Sequence, residues 1–450
     1  MGRCPIVVQP SWLSLQAGSL QHNLIQYFQV WQVDIGERKA PLENDLCLKQ
    51  VIPRREPCVQ EGAMRSRASH SISANEVHQW SLNWLLQAKL LKDHGWLCTA
   101  TVVWNVVLRA AARSISICAA CRDLADAPCD QAIRDALVDG LPKTLTVLER
   151  RLNDALLCDI PRQLRRVSWE VAIDWHLTPY YGKPQKSRNE LYYGPPRQGT
   201  KQFHAYASAC IVTRGYRYTV ALTYVRRHES TVTALKRLLA RIREIKLKIK
   251  RVLLDRAFFN VPVVTFLKEE KLPFLMPVMF RGRKPKKIRK KSLHWLKRQA
   301  AGWYQHTMKS GKKQATVRVC VGFRRHRNRK DKQVKQKLLF AAWRVGGTPV
   351  EIRERYRQRF GIETSFRQLR QARIYTCTQS PHLRLLFVAI ALLLRNLWVW
   401  IHQTRLAEGS GPSITLHLEL LRFKRMLDWI VYKIVALFHD GSTPYVAYQT

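Results

Sequence analysis

Three acidic residues stand where a carboxylate is out of keeping with its surroundings: Asp174, Asp255 and Glu363. Asp174 ends the run Val-Ala-Ile-Asp, in which Val171 and Ile173 point away from it by the two-residue alternation of a strand. Asp255 ends Val-Leu-Leu-Asp, a nearly continuous apolar strand where a lone buried carboxylate is costly unless a cation compensates. Glu363 belongs to a helical stretch that begins after Pro349. Hard divalent cations take oxygen ligands of this kind. Two Mg²⁺ ions about 4 Å apart serve both the attacking and the leaving oxygen when a phosphodiester is cut or joined, and Mn²⁺ can stand in for them.

The neighbours of Glu363 strengthen that reading. On one continuous helix at 100° per residue, Arg359, Glu363, Arg367 and Arg370 all fall within about 60° of Tyr356. One face then presents a phenol, three guanidiniums and one carboxylate. Glu354 lies half a turn round from Glu363, and Glu351 about 120° away. A charged stripe is ordinarily a solvated salt-bridge face, but three cations to one acid suit a phosphate-binding surface better. His176, two residues after Asp174, shares its strand face; a packed structural histidine is the ordinary reading of it. Arg256 directly follows Asp255, as a phosphate contact or as a neutralising partner for that aspartate.

The balance of charge sets the context. Of 450 residues, 77 are Lys or Arg and 32 are Asp or Glu, a formal net charge of +45. An enzyme acting on small metabolites gains nothing from such an excess, which attracts polyanions, so no small-molecule substrate is expected. With 46% apolar and 24% charged residues the chain has the composition of a globular protein. Its longest apolar run, Leu385–Leu394, lies between Arg384 and Arg395 and is well short of the ~20 residues of a spanning helix, so no membrane association is expected. The start of the chain shows no apolar signal-peptide core, and Ile6 stands where a myristoylation signal wants Ser or Thr. Eleven cysteines, an odd number, suit reduced thiols and a cytoplasmic location. Cys118-x-x-Cys121 has metal spacing but no second pair to complete a zinc site, and small buried helix residues are the better reading.

These elements divide the chain into five expected regions. Residues 1–70, with Pro5, Pro10, Pro41, Pro53 and Pro57 and no sustained period, read as a weakly structured tail; Met64 is an alternative start of translation. Residues 71–166 are helical by their three- and four-residue apolar spacing. Within them 114–124 and 129–141, broken at Ala127-Pro128, read as a helix-turn-helix DNA-binding unit or as ordinary bundle packing. Asp130, Asp135 and Asp139 against Arg134 are a poor charge for a recognition helix. Residues 167–280 run strand, strand, strand, helix, strand, helix, strand: an antiparallel meander followed by alternating units, hence an α/β domain with a mixed sheet. Residues 281–348 form a basic β insertion. Its stretch 281–337 holds 22 Lys and Arg with one acid, Asp331, interleaved with Trp295, Trp303, Tyr304 and Phe323. Strands are expected at 315–323 and 337–345, and the run 281–291 as a solvated arm along a DNA backbone. Residues 349–450 hold one long helix over 350–373 and a second, largely apolar helix over 382–401.

Tyr356-x₂-Arg359-x₃-Glu363-x₆-Arg370 resembles the Tyr-Arg-Glu-Lys signature of a branch of prokaryotic cut-and-paste insertion-sequence transposases of the DDE superfamily. The segments DWHLTPYYG at Asp174 and DRAFFN at Asp255 are similar to those around that family's first and second aspartates. Arg370 departs from the usual lysine, replacing a point charge by a planar fork. The resemblance covers roughly residues 100–405. It implies an RNase H-like fold in which Asp174, Asp255 and Glu363 hold two Mg²⁺ ions. Water would nick the transposon end, and the freed 3′-OH would attack target DNA. It implies that Tyr356, Arg359 and Arg370 grip terminal phosphates near a flipped base and that Trp295 or Trp303 stacks on that base. Arg367 shares the face. It implies double-stranded DNA as partner (terminal inverted repeats and target), a homodimer in the synaptic complex, and a nucleoid-associated protein in the prokaryotic cytoplasm. A domesticated or decayed copy that binds DNA without cutting is the alternative. An RNA-binding protein of ribosomal type would explain the charge but not the placement of the acids.

Overall fold

A computed structural model of the protein describes residues 71–159, 162–183, 190–213, 215–280, 288–290, 292–327, 333–408 and 415–439; side chains of 162–163, 326–327 and 363–367 lie outside that description. The expected tail over 1–70 and most of the basic run 281–291 also fall outside it.

Among the described residues five helices come first: α1 (Ala74–Gln87), α2 (Ala100–Arg113), α3 (Ile117–Arg122), α4 (Asp130–Gly140) and α5 (Leu145–Leu156). Their starts are written in the sequence. Ser73 and Glu76 form a reciprocal capping box on α1, and Thr99 and Ser116 cap α2 and α3 by accepting from backbone N–H groups. Ser114 ends α2 in the left-handed region, at φ 55°. The outward side of α4 carries Asp135 and Asp139, while Ile133, Ala136 and Leu137 point inward.

These helices do not form a core of their own. Trp84, Trp104 and Leu148 pack in one apolar cluster with Ile390 and Leu394 of α11 (Pro381–Thr404) and with Ile430 and Ile434 of α12 (Phe423–Phe438). The helical segments at the two ends of the described chain thus complete one layer. By length and composition α11 would suit a bilayer, but most of it is buried inside this layer.

Among the described residues nine strands form one mixed sheet: β1 (Ser168–Pro179), β2 (Tyr192–Arg197), β3 (Thr200–Ile211), β4 (Thr219–Val225), β5 (Lys248–Leu254), β6 (Phe274–Pro277), β7 (Gly302–Ser310), β8 (Lys313–Arg327) and β9 (Gln333–Trp343). β1, β3 and β4 make the expected antiparallel meander, and β5 and β6 continue the sheet parallel to β1. The crossovers are α6 (Thr231–Glu244) and α7 (Val261–Glu269). The expected order of elements over 167–280 is present, with one strand added. Its Gly194-Pro195-Pro196 reads as a turn, yet forms β2, pairing β3 at the margin, where proline's missing N–H does no harm.

The insertion is not a separate lobe. β9 pairs antiparallel with β6 (Leu275↔Ala342), β8 with β9 and β7 with β8, so three strands prolong the catalytic sheet. The first of them, β7, was not expected, because its polar sequence Gln305-His306-Thr307 faces solvent in part and carries little apolar signal.

Alternation sorts the sheet into two faces. Val171, Ile173, Val252 and Leu254 join one cluster with Leu235 and Leu239 of α6 and Val264 and Leu267 of α7. Ala172, Leu253 and Leu275 join another with Ile352 and Tyr356 of α9 (Pro349–Arg357) and Ile362 of α10 (Phe360–Leu369). The single helix expected over 350–373 is therefore two helices, interrupted at Gln358 and Arg359 and followed by a 3₁₀ turn at Arg370–Ala372. The continuous 100° projection that set five residues on one face does not apply across that interruption.

At the margin of the sheet, β4 is tied to the helical layer by two buried asparagines. Asn153 of α5 accepts from the N–H of Leu222 at 2.7 Å and donates to its carbonyl at 2.8 Å. Asn396 of α11 does the same for Thr219, at 2.9 and 2.8 Å, and also donates to the carbonyl of Leu156. Backbone groups that would otherwise be an open edge are satisfied from the helices.

Candidate active site

The parallel register of β1 and β5 aligns Ile173 with Leu254, so the next residues, Asp174 and Asp255, stand side by side. Both Ile173 and Leu254 face the α6–α7 side; alternation turns the two carboxylates to the opposite side, the one covered by α9 and α10. Asp255 sits at the end of β5, in extended conformation, at the entry to a 3₁₀ turn over Arg256–Phe258. Asp174, in contrast, does not end its strand. β1 runs on to Pro179 against β3, and Asp174 lies where the β5 partner stops. Loss of one neighbouring strand opens the sheet at that point.

α9 and the turn that follows it press Tyr356 and Arg359 into this opening. The Tyr356 hydroxyl donates to the carbonyl of Leu254 at 3.2 Å, tying α9 to the residue before Asp255. Burial pushes its acidity far below that of a free phenol, so the group stays neutral. Arg359 donates through Nη1 to Asp174 Oδ2 at 3.0 Å, with its guanidinium 5.5 Å from the Tyr356 ring centroid. The other oxygen of Asp174 accepts from the N–H of Trp175 at 2.8 Å. The interruption at Gln358–Arg359 makes this contact: the chain turns where Arg359 N–H bonds to Tyr356 and Ile362 N–H to Arg359.

Glu363 and Arg367 lie on α10, but their side chains are outside the described residues. Among the described residues no three His, Cys, Asp or Glu side chains cluster as a metal site, the Cys118–Cys121 pair included. Arg370 is exposed in the turn after α10. Burial first, and then the charges of Arg373 and Arg370, push the His176 imidazole down to about 4. His176 packs on Tyr206, ring centroids 6.3 Å apart, and stays neutral near pH 7. Arg256 is exposed beside Asp255.

Trp295 and Trp303 of the insertion part company. Trp295, in the short helix α8 (Leu293–Leu296), packs against the α6–α7 cluster and meets Tyr304 edge-on. Trp303, on β7, packs on the cluster of the carboxylate face; its indole N–H bonds to the Gly347 carbonyl at 2.8 Å, and Arg318 lies over its ring. Only Trp303 is on the side of Asp174 and Asp255.

One residue that sequence reasoning passed over is Arg395. It is buried in α11, donates through Nε to Gln368 of α10 at 3.2 Å and through Nη1 to the carbonyl of Arg217, and so seats α10 on the helical layer. An arginine amid the apolar Leu392–Leu397 is the signal; in the sequence it reads only as the end of an apolar run.

No curated protein matches the sequence. Solved structures similar to this one include the cryo-EM structure of a piggyBac transposase synaptic complex with hairpin DNA. That match has 11% identity and a TM-score of 0.44, over 83% of this chain and 82% of the other. A family model described as the transposase DDE domain matches residues 165–397, more than half of the chain and all of the elements that carry Asp174, Asp255 and α10. The chain therefore belongs to the DDE-domain transposases, enzymes that cleave DNA and transfer its strands.

Proposed function

We propose that the protein is the transposase of a prokaryotic insertion sequence, of the branch with the Tyr-Arg-Glu-Lys signature, and that it works by cut-and-paste. Asp174, Asp255 and Glu363 are its metal-binding carboxylates. The observation that carries this reading is the pairing of Asp174 with Asp255 at the end of β5, beneath the helices that hold Tyr356, Arg359 and Glu363. The strand order β4-β3-β1-β5-β6, antiparallel then parallel, supports an RNase H-like core.

The donor set fits Mg²⁺. Adjacent carboxylates where β5 ends offer hard oxygens to such an ion. When bound, the ions supply Lewis-acid activation of the attacking oxygen and charge neutralisation at the leaving one. The protein's own residues do the rest. Tyr356 fixes the end of β5 and with it Asp255. Arg370 and Arg256, both exposed, meet DNA phosphates, as does Arg367 on α10. Trp303 stands on the carboxylate face of the sheet, where Trp295 does not, and is the one placed to stack on a base. The positive charge of 281–337 tracks the DNA backbone, with affinity but without sequence readout. Each transposon end engages one copy, in a homodimer acting in the prokaryotic cytoplasm at the nucleoid.

Asp255→Asn tests the assignment. The variant keeps the shape of the side chain and the added positive balance, so it binds DNA as wild type does, yet Mg²⁺-dependent nicking is lost. Nicking at the wild-type rate would refute the metal assignment.

A further inference from the structure

Arg359 occupies a place that contact with DNA does not by itself explain. It is 6% exposed, turned inward by the interruption between α9 and α10, and pressed against Asp174 Oδ2. Asp174 itself is largely shielded, its side chain 18% exposed, and a second carboxylate, Asp255, stands on the neighbouring strand. Two adjacent carboxylates with restricted access to water repel one another, and a cation between or beside them relieves that repulsion. A guanidinium and a divalent metal ion are alternative solutions to the same electrostatic problem. They also exclude each other, because both are positive and both seek the same oxygen.

We propose that Arg359 is the resident counter-ion of this carboxylate pair and competes with divalent metal for Asp174, so that metal loads weakly until a DNA phosphate takes over the guanidinium. The inference rests on Asp174 and Asp255 being metal ligands. Its consequence is a thermodynamic coupling. DNA tightens metal binding by offering Arg359 another anion, and metal tightens DNA binding by the same factor. The device suits an enzyme that cuts DNA: without its substrate, the site holds its own cation rather than a catalytic one.

The test is Mn²⁺ affinity of the full-length protein, read from free Mn²⁺ by electron paramagnetic resonance, with and without a short DNA duplex. Without DNA, Arg359→Ala binds Mn²⁺ about tenfold tighter than wild type or better, since a unit charge at contact distance is removed. Arg359→Lys, which keeps the charge, stays near wild type. Adding duplex tightens Mn²⁺ binding by wild type and leaves Arg359→Ala almost unchanged. Should Arg359→Ala melt early, Arg359→Gln, neutral but still able to donate to Asp174, carries the same expectation. The proposal is overturned if neutral variants bind Mn²⁺ no tighter than wild type, or if duplex enhances binding equally in all of them. Asp174→Asn separates the two levels of the argument. If it leaves Mn²⁺ binding intact in the presence of DNA, the ligand reading fails and takes the counter-ion with it. If it abolishes binding while Arg359→Ala behaves as wild type, only the counter-ion fails.

Discussion

Replacing Asn396 by leucine should loosen the helical layer from the catalytic sheet. The side chain is buried and makes three hydrogen bonds, to Thr219 N–H, Thr219 C=O and Leu156 C=O, at 2.8 to 2.9 Å. Leucine is nearly isosteric, so the loss is not one of volume but of partners. An N–H and two carbonyls are left in an apolar setting, where each stranded group costs about 1–3 kcal/mol. Carbonyls have a second lone pair and tolerate this better than the N–H, which places the total near 3–5 kcal/mol. Urea unfolding followed by tryptophan fluorescence should show the midpoint lowered by about 1 M, with an unchanged slope. Asn396→Asp separates the donors from the acceptor. It still accepts from Thr219 N–H, but sets a carboxylate oxygen against two carbonyls, and should be worse than leucine. A loss below about 1 kcal/mol for leucine, or an aspartate variant as stable as wild type, would refute the argument that this amide clamps β4.

Two further outcomes follow from the same geometry. Tyr356→Phe removes the hydrogen bond to the Leu254 carbonyl and should cost about 1 kcal/mol; its cleavage rate should fall while DNA affinity holds, and equal rates would mean that the tie to β5 does not position Asp255. Glu149 is pushed up to about 7, chiefly by burial, against its hydrogen bonds from Tyr224 N–H and Thr223 and the charge of Arg237. Because its folded value lies above its unfolded one, the folded state holds the proton more tightly, and this contribution to stability is lost as pH rises from about 4.5 through 7. Glu149→Gln should remove that part of the pH dependence, measured as the urea midpoint at pH 5 and pH 8; an identical slope in both proteins would sink it.

The chain's sequence by itself determined the chemistry on offer. An acid-poor, strongly basic chain that spends aspartates in two apolar strands can be read without coordinates, because strand alternation and charge cost are local properties; that Asp174 stands inside β1 rather than at its end cannot. The three- and four-residue apolar spacing of the helices over 71–166 can be read in the same way, as can the alternation of strand and helix that makes the sheet mixed. What only the tertiary structure decided depends on contacts between distant segments. The meeting of Asp174 and Asp255 is a matter of register between β1 and β5, some eighty residues apart, and no local pattern encodes register between parallel strands. The turn at Gln358–Arg359 is likewise invisible to periodicity; it sets Arg359 against Asp174 of β1 while Tyr356 meets the Leu254 carbonyl of β5. Trp295 and Trp303 look equivalent in sequence, and only the face of the sheet on which each packs tells them apart. The helical block near the start and the two helices near the end read as separate regions, yet they share one core, because each exposes an apolar face that only the other can cover.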